Sequence, residues 1–144
     1  MKNSKLAERF AMGVNVGRSE HMFIDGFTIY SYGEHFPIAR RVADNLYYFT
    51  TSSYSSTTRK HKALVFHALT NVGAVIVMLP NCDSNSASIA KNANDKLIAK
   101  FKDKMKRVRT DKMKRFYESG IKAMKKQNKL IDKYVIPTFV AEKI

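Results

Sequence analysis

The sequence predicts an α+β domain: a small antiparallel sheet with one helix near its middle, followed by a basic amphipathic helical segment. Three observations point there. Asp25-Gly26 sits between two apolar stretches of strand character, "GAVIVML" is rich in β-branched residues, and from Ile89 onward apolar residues return every three or four positions among lysines and arginines. With 144 residues, 44% of them hydrophobic, the chain can bury a core of ordinary size.

The elements follow in chain order. Residues before Met22 are read as an N-terminal arm. Met22 to Ile24 and Phe27 to Tyr32 are predicted to pair across an Asp25-Gly26 turn, because glycine accepts the positive φ a tight hairpin needs. Phe27, Ile29 and Ser31 share one face of the second strand, and Thr28, Tyr30 and Tyr32 the other. Gly33-Glu34 makes a turn. Phe36 to Val42 and Leu46 to Thr51 form a further hairpin across Ala43-Asp44-Asn45, with Pro37 at an edge or strand start since it has no N–H to donate. A helix over Arg59 to Thr70, capped by Thr57 or Thr58, puts Leu64, Val65, Ala68 and Leu69 on one face, although "KALVFHAL" also alternates as a buried strand would. "GAVIVML" reads as a central strand ending at Pro80, and the loop through "PNCDSNSAS" divides residues 1–83 from residues 84–144. Beyond it, Ile89, Ala93, Leu97, Phe101, Met105 and Val108 mark one amphipathic helix that runs on past Met113, Phe116 and Tyr117 to a break at Ser119-Gly120. A second, short helix then carries Ile121, Met124 and Ile131 before Pro137. The tail "YVIPTFVAEKI" is too apolar for a solvated end and suits packing on the sheet or on a partner chain. With the apolar stripe, it fits a homodimer as well as a monomer.

Charge narrows the function classes. The net charge is +14, and residues 84–144 carry 17 Lys and Arg against 6 Asp and Glu. So cationic a surface collects polyanions, nucleic acid first among them. The longest apolar run, Val72 to Leu79, is too short to span a bilayer, and the N-terminal stretch lacks the apolar core of a secretory signal, so the expected location is the cytoplasm. Cys82, the single cysteine, excludes an internal disulfide and a cysteine-based zinc site.

Two groups of residues are candidate sites for phosphate. In the basic segment, Lys100, Lys104, Arg107, Arg109, Lys112, Lys114 and Arg115 outnumber the acids Asp95, Asp103 and Asp111 that could neutralise them. Asp103 to Arg107 and Asp111 to Arg115 have the spacing of helix-supporting pairs. The other group follows nine consecutive hydroxyl-bearing residues, Thr50 to Thr58. There Thr57, Thr58, Arg59, Lys60 and Lys62 surround a helix start whose unpaired N–H groups attract anions. The bland alternative is an exposed strand face ending in a structural cap. The histidines His21, His35, His61 and His67 lack metal-ligand spacing, so no metal or other cofactor is expected. Glu34 and His35 beside Arg40 and Arg41 offer acid and base groups for phosphodiester cleavage if His61 approaches them in space.

Tyr32-Gly33, Pro37-Ile38-Ala39, Tyr54-Ser55, Thr57-Thr58 and His61 form a "YG…PIA" segment followed by a "YS.TT..H" segment. In this the chain resembles small uncharacterised bacteriophage proteins, over residues 27 to 69. The resemblance implies a viral origin and a host-cell cytoplasmic setting; it assigns no chemistry. The expected function is non-catalytic binding of DNA, RNA or a ribonucleoprotein through phosphate contacts. The alternative is a structural or inhibitory protein, such as a host-defence inhibitor, that docks its cationic helix on an acidic partner. A small nuclease is the third reading.

Overall fold

A computed structural model of the chain describes residues 1–32, 36–52, 55–82 and 84–135. The chain is α+β and forms two compact units, Met1–Asp83 and Ser84–Ile144. The predicted Gly33-Glu34 turn lies outside the described residues, as do Glu34, His35 and the tail beyond Val135.

The first unit runs α1 (Asn3–Ala11), β1 (Val16–Arg18), β2 (Met22–Asp25), β3 (Thr28–Ser31), β4 (Phe36–Ala43), β5 (Leu46–Thr50), α2 (Ser56–Asn71) and β6 (Val75–Leu79). Its sheet is six-stranded in simple sequence order, antiparallel from β1 to β5. The last pair, β5 with β6, is parallel. A parallel neighbour needs a crossover, and α2 supplies it. The "GAVIVML" strand is therefore last in the order, not central. An unbroken apolar run reports buried faces and says nothing about how many strands flank it.

Several local expectations shift by a residue. Asp25 pairs with Thr28, so the two-residue loop of the first hairpin is Gly26-Phe27, with φ +63° at Gly26. Glycine at the first central position defines that turn, and Phe27 leaves the core face to stand 54% exposed. In the second hairpin Ala43 pairs with Leu46, leaving Asp44-Asn45 as the loop. Pro37 is the second residue of β4 and lies beside a register shift between Ile29 and Tyr30, where a missing N–H is tolerated.

The expected N-terminal arm is a helix. Leu6, Ala7, Phe10 and Ala11 recur at the spacing of one helical face and enter the main core with Ile24, Ile29, Tyr47, Val65 and Leu69. Gly17 lets β1 approach this helix, since a Cβ there would come within 2.9 Å of Leu6 Cδ1. The Tyr47 hydroxyl lies 3.2 Å from the Phe10 carbonyl, which also accepts from the Gly13 N–H, and 3.1 Å from that of Ala11, so its one proton is shared between two carbonyls at the end of α1.

The second unit has a 3-10 turn at Ser84–Ser86, then α3 (Ala87–Met105) and α4 (Asp111–Tyr134). Contacts between the helices run in opposite directions: Lys91 bonds Asp132, Asn94 bonds Asn128, and Phe101 packs on Tyr117. They form an antiparallel hairpin. The break falls in residues 106–110, where Thr110 caps α4 by accepting from the Met113 N–H at 3.3 Å. Ser119-Gly120 does not interrupt the helix. Gly120 sits where a Cβ would lie 2.5 Å from the Phe101 ring, so the glycine serves close helix packing. The packed face of α3 departs from the predicted stripe in its first turns, where Ala90 and Ile98 are buried whereas Ile89 is 62% and Leu97 42% exposed, and rejoins it at Phe101. The hydrogen-bonded Asn94 and Asn128 belong to this interface, and a hydrophobic pattern cannot register a polar pair of that kind.

Candidate nucleic-acid interface

At the start of α2 the hydroxyl run does structural work. Ser55, not Thr57 or Thr58, is the cap: its Oγ accepts from the Thr58 N–H at 3.1 Å. Thr58 is itself buried, its hydroxyl 3.1 Å from that of Ser55, and Thr57 is half-buried. Lys62 turns back over the Phe49 ring and donates to the Ser52 carbonyl at 2.8 Å. Burial lowers its pKa from the usual lysine value. Arg59 and Lys60 remain exposed. The predicted phosphate grip is thus split, with two cations facing water and the capping groups used by the fold.

The two segments of the "YG…PIA" and "YS.TT..H" pattern meet nearby. Tyr32 packs against the His61 ring at 5.4 Å, and Ser31 shares a 2.6 Å hydrogen bond with His61 Nδ1. His21 stacks on His61 at 6.0 Å and contacts Tyr32 at 5.7 Å. Asn3 holds this corner to α1 through His21, its Oδ1 also accepting from the Ser19 hydroxyl at 2.6 Å. Tyr32 has φ +52°, a left-handed conformation that a tyrosine adopts only when its surroundings enforce it. Burial, and secondarily the His21 charge, lower the His61 pKa. Ser31 is fully buried and His61 nearly so, which suits a load-carrying internal hydrogen bond better than a nucleophile and base. The proposed partners of His61 in cleavage, Glu34 and His35, lie outside the described residues. Cys82 is buried against the Ile38 carbonyl, and burial pushes its thiol pKa up to about 12, so it stays a thiol. Among the described residues no group of three or more His, Cys, Asp or Glu could hold a metal ion.

The second unit concentrates the exposed cations. Lys100, Lys104, Arg107, Arg109, Lys112, Lys114 and Arg115 are all solvent-exposed, spread over the end of α3, the connection and the first turns of α4. Two of these cations are partly engaged. Arg107 pairs with Asp103 at 3.4 Å, while Arg115 reaches the Asp111 backbone carbonyl at 3.4 Å.

A groove of about 610 Å³ lies between the end of α3 and the middle of α4, and it carries a denser group. Lys102, Lys122, Lys125, Lys126 and Lys129 line it. Met105 and Ile121 also line it, with Glu118 as its one acid. Among the described residues none of these lysines forms an ion pair; the pairs of this unit are Lys91 with Asp132 and Arg107 with Asp103. None of the five lysines is among the phosphate candidates named from the sequence, and the four of α4 lie beyond the break predicted at Ser119-Gly120. Read as one helix, Lys122, Lys125 and Lys129 recur at intervals of three and four, which places them along one side. That spacing was the available signal.

Comparison with protein-family models, with curated proteins and with solved structures finds no match. Among the described residues no helix is long and apolar enough to cross a membrane.

Proposed function

We propose that this protein binds nucleic acid, free or within a ribonucleoprotein, without catalysis, through phosphate contacts from the basic helical hairpin. The observation that carries this reading is the groove, where five lysines converge around a single carboxylate. Helix-surface lysines are usually balanced by acids at neighbouring turns; here the balance is missing, and a polyanion provides it. Contacts of this kind go to the backbone and are insensitive to base sequence.

The test is a salt titration of labelled oligonucleotide binding, comparing the intact protein with the Lys122→Ala, Lys125→Ala, Lys126→Ala, Lys129→Ala combination. For single strands each lost phosphate contact lowers the slope of log affinity against log salt by about 0.7, so the combined variant should lose about 3. An unchanged slope removes the groove from the interface.

A second reading has its own observation. Phe116 is 62% and Met113 40% exposed on the helix that bears Lys112, Lys114 and Arg115. An exposed aromatic on a turn of helix rich in cations also suits an acidic protein surface, the arrangement an inhibitory protein would use. Loss of partner capture on Phe116→Ser, with oligonucleotide binding intact, would favour it.

A further inference from the structure

We infer that the hairpin groove takes single-stranded nucleic acid, an unpaired base lying against Met105 and Ile121 while flanking phosphates meet the lysines. This rests on the nucleic-acid reading and narrows it. The groove lining is mostly apolar although five of its residues are lysines, so beside Met105 and Ile121 the lysines contribute chiefly their aliphatic stems. A duplex hides its base faces and offers the rim only phosphate and sugar, leaving that floor in water. A single strand can turn a base onto the floor while its backbone stays on the amines. The space, about 610 Å³, is within the range of sites that enclose small ligands, and so has room for a base with its sugar. Lys122 to Lys129 spans roughly 10 Å of helix at about 1.5 Å per residue, enough for more than one phosphate along the wall. Glu118 breaks the lysine lining with an acceptor, a poor neighbour for phosphate and a suitable one for a base amino group.

The experiment measures binding of the full chain to a labelled single strand, to its duplex and to an abasic strand of equal length, at several salt concentrations, with the probes compared at one moderate salt. The intact protein is compared with Met105→Ser and Met105→Leu, each checked for an unchanged thermal transition. The expected result is a single-strand preference of about tenfold over the duplex and over the abasic strand. Met105→Ser should remove most of that preference with the salt slope intact, and Met105→Leu should keep it. Equal binding of all three probes, indifferent to Met105→Ser, overturns the base-on-floor inference and leaves phosphate binding standing. Absence of binding to any probe overturns the nucleic-acid reading itself.

Discussion

The sheet unit sets few cations on a large apolar core and draws two of them, Arg41 and Lys62, back onto the protein, whereas the helical hairpin sets many on a small core and leaves most of them facing solvent. Lys62 lies on Ser52 and Phe49, and Arg41 pairs with Asp44, beside a core that joins two helices to the sheet. The hairpin buries few large side chains, principally Ile98, Ile121 and Ile131, and joins its helices through Asn94, Asn128 and the Lys91 to Asp132 pair. The difference teaches where each unit's free energy goes. Burial of apolar surface organises the sheet unit. In the hairpin, the like charges of the groove oppose compactness, a cost that a bound polyanion would relieve.

Perturbing each unit should break or sharpen this contrast. The largest effect is expected from Phe10→Ala. The ring is buried and packs edge-on to Tyr47 at 5.3 Å, so its removal should lower stability by about 3 to 5 kcal/mol in a denaturant titration of the sheet unit's signal. Protonation of His61 should act on the same unit. Its folded pKa is lowered from 6.5, so the unfolded chain binds the proton first. Stability is therefore complete above pH about 6.5, and falls as the pH drops from there toward the folded pKa. Thermal melts across that range should show the fall, and His61→Gln should flatten it. Ser55→Ala removes the α2 cap and should lower stability by about 1 kcal/mol, which the melting temperature reports.

In the hairpin, Gly120→Ala sets a helix-propensity gain against a contact of 2.5 Å with Phe101, whose ring is held by Tyr117. The overpacking term should win by about 1 kcal/mol, seen as weaker amide protection in α3 and α4. The smallest change in stability belongs to the combined replacement of Lys122, Lys125, Lys126 and Lys129 by Ala. Exposed, unpaired cations contribute little to folding, so melting should stay within about 0.5 kcal/mol of the parent while binding is lost. If that variant unfolds, the lysines are structural and the contrast fails.

The sequence made some elements legible because their signal is local. The Gly26 turn, the alternation of β3 and the helix leading to Leu69 each follow from a few neighbouring residues, with boundaries off by one to three positions. The cap went to Ser55 instead of Thr57 or Thr58 because several adjacent hydroxyls are equivalent until the chain direction is fixed. The α1 helix was missed, its short apolar face hidden among charges that only disqualified a signal peptide. Gly120 was misread as a breaker because a glycine required by a neighbouring ring looks, in one dimension, like any other. That error concealed the groove, whose lysines come from two helices brought together by packing. The exposed cations of residues 100–115 were legible from composition alone; which of them share a concave surface was not.

The central claim is that the hairpin groove, and not the start of α2, meets the nucleic acid. Lysine reactivity toward an acylating reagent, mapped with and without a saturating single-stranded oligonucleotide, tests it directly. The account predicts protection of Lys122, Lys125, Lys126 and Lys129 with Lys60 unchanged. Protection of Lys60 with the groove lysines still fully reactive would contradict it.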